Sequence, residues 1–315
     1  MITKVLLSGS IAILASSYLF AQGPTTGRME GTVRDPKGAV VSNAEVRIVN
    51  EATGTEWTSR TDESGHYVAV LLPPGQYRVT VTASGFTSIP LEAVRVSITQ
   101  TTVADPILTI GGLQAVTVRV ESPVQTNGPE LGRVVDSRMI SELPLSTRNF
   151  TQTLSLSPGV ATYLPDSTAV GRNTQTISVN GARMTQNNVQ MNGIDANTMG
   201  TSAAINVAVP APESIQEFKV QTSLYDASFG RSGGGNVQVV TRSGGNDFHG
   251  TAYEYLRNEA LNANNPFLKA ADVNRPVLRR NVFGGTMGGP IKKEKFFFLR
   301  LVSGHARKEW SVDSQ

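Results

Sequence analysis

ESIQEFKVQTSLYDASFGRSGGGNVQVVTRSGG, residues 213–245, is the stretch from which the fold of the whole chain can be interpreted. Apolar and polar side chains alternate over residues 218–222 and again over residues 237–241, a period typical of half-buried strands. Between these runs lies Gly-Arg-Ser-Gly-Gly-Gly at 230–235, where missing side chains permit a sharp turn or close contact between backbones. The stretch therefore predicts two strands joined by a glycine-rich connection.

The residues just before the first strand predict a brief helix. Pro212 suits the first turn of a helix, where a missing backbone N–H costs nothing. Ile215 and Phe218 are three positions apart, so in such a helix they would lie on one face.

The glycine cluster also raises the alternative of a phosphate-binding loop. Such a loop requires Lys followed by Ser or Thr after the last glycine, and a helix behind it. Gly235 is instead followed by Asn236, Val237 and Gln238, which continue as a strand. We therefore interpret the glycines as close-packing positions and not as ligand contacts.

Composition favours short strands with ordinary hydrophobic cores. The 315 residues leave room for about two domains. Aromatic residues make up only 6% and charged residues 17%, while 30 glycines accompany many Thr, Val, Asn and Ser, as in strands joined by turns. The formal charge is +3 and the basic residues are scattered, so nucleic acid is not an expected partner.

Side chains suited to metal or covalent chemistry are sparse. The absence of cysteine excludes disulfides, thiolate metal sites and a cysteine lipid anchor. His66, His249 and His305 are far apart and none opens a zinc-binding motif. Because no nucleophile, base and metal ligands converge in any motif, we predict no enzyme activity, no catalytic residue, no metal and no cofactor.

Residues 1–21 predict an export signal. Lys4 supplies the positive start, residues 5–20 are mostly apolar, and Ala21 is a small residue at which cleavage could occur, with Ser17 as the alternative. The run is shorter than the roughly 20 apolar residues that a membrane-spanning helix needs.

Residues 24–110 alternate short strands with turn sequences. The turns at 35–38 and 62–65 combine Asp with Gly, and runs such as 46–49 and 77–81 carry β-forming residues. Several short strands at this spacing indicate a β-sandwich.

An ordered set of motifs in this segment resembles the carboxypeptidase regulatory-like domain. The motifs are Gly31-x-Val33-x-Asp35-x-x-Gly38, Ala44-x-Val46, Thr61-Asp62-x-x-Gly65-x-Tyr67, Pro74-Gly75-x-Tyr77-x-Val79-x-Val81 and Gly85-Phe86. The resemblance implies a transthyretin-like, seven-stranded sandwich without catalysis. Related folds bind carbohydrate, so Trp57 is a candidate for stacking on a sugar, whereas we expect Tyr67 and Tyr77 to fill the core.

Residues 111–245 predict a small mixed domain. Asp136 can cap a short helix over residues 137–142, and Ser146 or Thr147 can cap a second one that contains Phe150. Two short strands follow, and each ends in an Asn-Gly turn dipeptide, at 180–181 and at 192–193.

This segment resembles the plug domain of TonB-dependent outer-membrane receptors. The motifs that carry the resemblance are Leu143-Pro144-Leu145, Arg148-Asn149-Phe150, Pro158-Gly159-Val160, Ser178-Val179-Asn180-Gly181-x-Arg183, Asn192-Gly193-Ile194-Asp195, Glu217-Phe218-Lys219-Val220-Gln221-Thr222, Tyr225-x-Ala227-x-Phe229-Gly230-Arg231-Ser232-x-Gly234-Gly235 and Val239-Val240-Thr241-Arg242-Ser243-Gly244. In that family the plug fills the barrel lumen, and a short strand before it, the TonB box, is grasped by the energy-coupling protein TonB.

A candidate for that strand precedes the plug. After Gly111-Gly112 an alternating run follows, formed by Ala115, Val116, Thr117, Val118, Arg119 and Val120. From its pattern alone, the run could pair with the sheet edge of a partner or be the first strand of the next domain. Its position is that of the TonB box, which implies TonB and the outer membrane as partners.

Residues 246–315 predict the start of an outer-membrane barrel. Residues 248–256, 282–288 and 296–299 are typical of strands, and a long polar loop at 257–279 and a tight basic turn at 290–295 connect them. We expect the resemblance to the family to end after Leu299, where the sequence continues into a charged tail.

The length of this last part predicts that it cannot close a barrel. At about 9–11 residues per membrane strand and at least about 8 strands per bacterial barrel, the residues after 245 supply only about three strands. We therefore expect a fragment, a frameshifted gene or an early stop, with a truncated product remaining in the periplasm.

The predicted fold class is mainly β. It comprises a transthyretin-like β-sandwich at 24–110, a small α+β plug domain at 111–245 and the first strands of an incomplete β-barrel at 246–315. The resemblance implies the amino-terminal portion of a TonB-dependent outer-membrane receptor whose plug gates the uptake of a bulky nutrient. The alternative function is a secreted or periplasmic module that binds glycan through the sandwich.

Overall fold

The computed structural model describes residues 25–86, 90–109, 130–143, 145, 148–162, 177–197, 210–225, 229 and 233–309. The chain divides into two compact units, Met1–Arg242 and Ser243–Gln315.

The first part of the larger unit is a sandwich of two sheets. Seven strands build it: β1 (Gly27–Thr32), β2 (Glu45–Asn50), β3 (Glu56–Arg60), β4 (His66–Leu72), β5 (Gly75–Thr82), β6 (Leu91–Val96) and β7 (Thr101–Val103). One sheet has the order β3-β2-β5-β6 and the other β4-β1-β7. All pairs are antiparallel except β1 with β7. The seven-stranded sandwich predicted from the motifs is confirmed.

Tyrosines occupy the centre of the sandwich core, as the sequence predicted. Tyr67 and Tyr77 are fully buried. Each hydroxyl finds a backbone acceptor, since Tyr67 donates to Ala104 O at 2.7 Å and Tyr77 to Pro73 O at 2.6 Å. A buried phenol without such a partner would lose its hydrogen bond to water, so these two contacts let aromatic bulk fill the core.

A five-stranded sheet organises the second part of the larger unit. Its strands are β8 (Leu131–Asp136), β11 (Asn188–Met191), β12 (Ile194–Asp195), β13 (Ile215–Ser223) and β14 (Asn236–Thr241), and β9 (Val160–Thr162) and β10 (Ile177–Val179) form a separate antiparallel pair. The order is β12-β11-β14-β13-β8, with β11 and β14 parallel. The two strands of the opening stretch, β13 and β14, therefore lie at its centre.

Both Asn-Gly turns of this part have the backbone that their sequence predicts. Asn180 and Asn192 each have φ of 50°, and the following Gly181 and Gly193 have φ of 76° and 80°. Two successive residues at positive φ make a tight hairpin-type turn, which Asn and Gly accept at low cost.

The brief helix predicted before β13 is only a 3₁₀ turn, Pro212–Ser214. Ile215 already belongs to the strand, so the prediction that Ile215 and Phe218 lie on one face of a helix is wrong. The register of β13 against β14 shifts between Ile215 and Glu217. This one-residue bulge returns Ile215 to the face of Phe218, and both side chains are fully buried.

The helices confirm one predicted cap and correct the other. Asp136 caps helix α1 (Ser137–Glu142) and accepts from Met139 N–H at 2.8 Å. The second helix is a 3₁₀ helix, Phe150–Leu156, and its cap is Asn149, which accepts from Thr151 N–H at 3.0 Å. The predicted caps Ser146 and Thr147 lie outside the described residues and are too far before the helix to serve. A third 3₁₀ turn is Met184–Gln186.

The smaller unit is an antiparallel meander. It consists of β15 (His249–Asn258), β16 (Leu278–Lys292) and β17 (Phe296–Glu309), and the connection between β15 and β16 contains a 3₁₀ turn (Glu259–Leu261) and helix α2 (Pro266–Ala270). Large apolar side chains are exposed on one face of the strands: Leu256, Phe283, Met287 and Val302. An apolar outer face on long antiparallel strands is typical of membrane barrels.

The third strand of this unit continues well past Leu299. β17 pairs with β16 through Glu309. The pairing uses backbone N–H and C=O groups, so the charged residues from which a tail was predicted do not end the strand. Neither α-helix in the described part of the chain exceeds six residues, and no helix there meets the length and hydropathy needed to span a membrane.

Candidate functional site

The polar face of strand β13 is the most unusual chemical feature of the described residues. Its other face carries Phe218 and Val220 into the apolar core of the plug sheet. Glu217, Lys219 and Gln221 occupy the polar face, and their exposed fractions are only 3%, 1% and 0%. The half-buried strand predicted from the alternation is therefore wrong, since β13 is buried on both faces.

Lys219 is held by three oxygen acceptors. Its Nζ donates to Glu130 Oε2 at 2.7 Å, to Thr99 Oγ1 at 2.7 Å and to Thr99 O at 3.2 Å. Gln221 Nε2 donates to the same Glu130 oxygen at 2.8 Å. Burial lowers the pKa of Lys219 from its usual value, and the contact with Glu130 opposes that shift. The ammonium is thus the centre of a compact polar cluster.

Glu217 lies two residues before Lys219 and has partners of its own. It accepts from Ile98 N–H at 2.5 Å, and Arg95 Nη2 lies 3.8 Å from its other carboxylate oxygen. Arg95 also donates to Asp136 at 3.0 Å. Burial raises the pKa of Glu217, because removal from water disfavours the charged carboxylate. Both charged residues of β13 therefore depend on partners that the sandwich supplies.

A second buried ion pair lies inside the plug. Arg148 Nη2 donates to Glu213 Oε1, and the two side chains are only 9% and 7% exposed. Glu213 sits in the 3₁₀ turn before β13, and Arg148 has φ of 53°, an unusual value for a residue with a side chain. The pair links the connection after α1 to the start of the central strand.

Two glycines of the cluster, Gly234 and Gly235, serve close packing, as the sequence predicted, whereas Gly233 has open space around it and Gly230 lies outside the described residues. A Cβ on Gly235 would lie 2.7 Å from Val179 Cγ2, and one on Gly234 would lie 2.5 Å from Asn187 Oδ1. Asn187 Oδ1 also accepts from Gly235 N–H at 2.9 Å. Strand β14 begins at Asn236, so the helix that a phosphate-binding loop needs does not follow the cluster.

The candidate sugar-stacking residue Trp57 is a partly buried neighbour of the sandwich core. Its ring meets that of Tyr77 edge-on, with centroids 5.8 Å apart. The candidate coupling strand, Ala115, Val116, Thr117, Val118, Arg119 and Val120, lies outside the described residues, as does the predicted export signal at 1–21. Within the described ranges, no group of three His, Asp or Glu side chains could hold a metal ion.

The partners of β13 were not predicted from the sequence. Glu130, Arg95 and Thr99 carry no motif, and nothing local connects them to Lys219 or Glu217, which are about 90 to 120 positions away along the chain. The available signal was the pair of opposite charges at alternate positions of a strand whose neighbours are apolar. That pattern indicates buried charges only when another domain is known to cover this face of the strand.

Comparisons with known proteins agree with the order of the three structural parts. Residues 28–109 match the carboxypeptidase regulatory-like domain, residues 127–237 the TonB-dependent receptor plug domain and residues 240–308 an outer membrane beta barrel domain. The last match continues to residue 308, so the expected end of the resemblance after Leu299 was wrong.

Individual relatives include the TonB-dependent transporter Oar of Myxococcus xanthus. It is 26% identical over 302 residues, which cover 91% of this chain and 27% of Oar. The chain thus spans about a quarter of the length of this curated relative. Among solved structures, the siderophore receptor PirA from Acinetobacter baumannii gives a TM-score of 0.41 at 15% identity over 57% of this chain and 24% of its own. The outer membrane transporter YddB from Escherichia coli gives 0.43 at 17% identity over 55% and 26%.

The plug match and the relative Oar both point to receptors and transporters and not to a class of enzymes. Sandwich, plug and barrel strands follow one another in this chain in a single order, and each part matches its domain separately. Part by part, the chain is therefore similar to the TonB-dependent receptors of the outer membrane.

Proposed function

We propose that the chain forms the amino-terminal part of an energy-coupled importer, in which the plug gates a barrel and residues 115–120 are grasped by TonB. The imported molecule would be a bulky nutrient, such as a glycan, that cannot diffuse through a narrow pore. The family supplies the coarse assignment, and the following contacts support the coupling role.

The position of β8 carries this proposal. β8 is the edge strand of the plug sheet and pairs with β13. It begins at Leu131, immediately after Glu130 and a short distance along the chain from residues 115–120. An edge strand has a neighbour on one side only, so fewer hydrogen bonds hold it than hold a central strand. A pull on residues 115–120 would therefore reach the plug at an edge strand.

Glu130 is the first described contact that such a pull would meet. Its carboxylate accepts from Lys219 Nζ and from Gln221 Nε2, both on the central strand. The load would pass to this ion pair before the hydrogen bonds between β8 and β13, since Glu130 precedes β8. Glu130 thus connects the start of β8 to the central strand of the plug sheet.

The test is binding of the purified periplasmic domain of TonB from the same host to the full chain in detergent, measured by calorimetry. Strand addition requires backbone N–H groups, and proline removes one. We expect Val118→Pro, like deletion of residues 115–120, to abolish binding, while the matched variant Asn127→Pro binds as the unchanged chain does. Equal binding by Val118→Pro and the unchanged chain would contradict the coupling role of this strand.

A further inference from the structure

Strands β15, β16 and β17 carry different chemistry on their two faces. Successive side chains of a strand point to opposite faces, so the register between the strands shows which residues share a face. One face is the apolar one that includes Leu256, Phe283 and Val302. The other face is polar: Thr251 and Thr286 are cross-strand partners on it, and their hydroxyl oxygens lie 2.8 Å apart. In a membrane barrel, a polar face of this kind lines the interior.

Arginines occupy one row of this polar face. Arg257 on β15 is the register partner of Arg280 on β16, and the pairing of β16 with β17 continues the row to position 307, which is also an arginine. Residues directly opposite each other in an antiparallel pair have Cβ atoms about 4.5–5.5 Å apart, and like charges there are destabilising. Arg257 is half-buried and Arg280 is only 2% exposed. Water therefore does not surround the pair as it surrounds charges on an open surface.

Two carboxylates near the row have other partners. Glu254 lies on the apolar face, where its Oε1 accepts from Asn281 Nδ2 at 2.9 Å. Glu259 follows β15 in the chain, accepts from Leu278 N–H at 3.1 Å and lies 3.6 Å from Arg279 Nε. These two acidic side chains therefore serve neighbours of the row.

The donors of two adjacent guanidiniums match a phosphoryl group better than a single carboxylate. Each guanidinium presents five N–H donors in a planar fork and binds oxyanions through two parallel hydrogen bonds. One fork already engages both oxygens of a carboxylate, whereas the three terminal oxygens of a phosphate monoester leave acceptors for a second fork from the neighbouring strand. Such a monoester carries a charge of about −1.5 to −2 at pH 7, which offsets the two positive charges of the pair.

We propose that Arg257 and Arg280 form a binding site for a phosphoryl group on the polar face of the barrel strands. The rings of Tyr253 and Tyr255 follow along β15 on the same face, with their centroids 5.7 Å apart. An organic group that extends along β15 from the phosphate would therefore pack against aromatic surface. The site goes beyond the proposed function, because phosphate binding needs neither TonB nor residues 115–120.

The test is a calorimetric titration of the full chain in detergent with sodium phosphate, and separately with methyl phosphate and with acetate, at constant ionic strength. We expect phosphate to bind more tightly than acetate, because acetate engages only one fork. Methyl phosphate bound as tightly as phosphate would assign the site to the phosphoryl group of a larger molecule, whereas much weaker binding of methyl phosphate would assign it to free phosphate. Absence of phosphate binding, or acetate bound as tightly as phosphate, would overturn the proposal.

Variants then locate the site. Arg257→Gln should weaken phosphate binding about tenfold or more, since it removes charge-assisted hydrogen bonds. The matched control is Arg279→Gln, which removes the same charge from the adjacent position of β16, where the side chain lies on the opposite face and is 64% exposed. It should bind phosphate as the unchanged chain does.

Because Arg280 is buried, its variant is Arg280→Lys, which keeps the charge and loses the fork. Arg280→Lys should also bind phosphate more weakly, and hydrogen exchange of peptides from β16 shows whether each variant is folded. Equal phosphate affinity in folded Arg257→Gln and Arg279→Gln would contradict the assignment of the site to this row.

Discussion

Replacing Glu213 by glutamine should destabilise the plug without altering its shape. Glutamine keeps nearly the volume of glutamate but removes the charge that faces Arg148. Since the two side chains are 7% and 9% exposed, the guanidinium would stay buried without its counter-charge. Removing one partner of a buried ion pair costs about 3–5 kcal/mol. The cost is large because water cannot reach the remaining charge.

The magnitude can be measured by hydrogen exchange of the full chain, resolved by mass spectrometry of peptides from β13. A factor of ten in an equilibrium constant corresponds to about 1.4 kcal/mol, so amides that exchange only when the plug unfolds should exchange ~10²–10⁴ times faster. The matched control is Glu142→Gln, whose pair with Arg138 is exposed by 64% and 82%. It should leave the exchange of β13 unchanged.

A double variant separates the lost charge from other effects of substitution. Arg148→Met with Glu213→Leu removes both charges of the pair and should recover most of the protection of β13, since apolar residues of similar size often replace a buried pair at little cost. The reasoning is refuted if Glu213→Gln exchanges like the unchanged chain, or if the double variant is less protected than Glu213→Gln alone.

Three further outcomes follow from packing and ionisation. Gly235→Ala should lower the stability of the plug by about 1–3 kcal/mol, because the new methyl group would overlap Val179. Gly233→Ala, which has open space at that position, should not, and exchange of β13 compares the two. Burial raises the pKa of Tyr77 to about 12. The stability that the neutral Tyr77 hydroxyl contributes is therefore present below about pH 10 and is lost as the pH rises to about 12. In Tyr77→Phe, the free energy of unfolding, measured in urea by fluorescence, should depend less on pH in that window. Trp57→Ala should destabilise the sandwich, and a glycan array probed with the unchanged chain tests sugar binding, which is supported only if Trp57→Ala removes the signal.

Local sequence patterns predicted much of the fold. Alternation located β13 and β14, the Asn-Gly dipeptides located two turns with positive φ, and Asp136 was identified as a cap. These features depend on neighbours within a few residues, so short stretches of sequence contain the information. The motifs of the two domains added the order of the parts.

Other features required contacts that no local pattern records. The second helix begins at Phe150, whose ring lies beside that of Phe218, and its cap is Asn149 instead of the predicted Ser146 or Thr147. The charged residues near the end of the chain predicted a tail after Leu299. β17 instead continues to Glu309, because it pairs with β16 over this length. The end of β17 thus depends on the strand with which it pairs, and not on its own residues alone.

Strand β13 shows the same difference between what a local pattern predicts and what distant contacts decide. Its alternation establishes that Phe218 and Val220 share one face and that Glu217 and Lys219 share the other. Whether that second face meets water depends on the sandwich, whose Ile98 reaches Glu217 from 119 positions away in the chain. Periodicity is a property of the chain alone, whereas burial depends on the surfaces that distant segments bring together, so only the folded protein reveals that these two charges lie out of water.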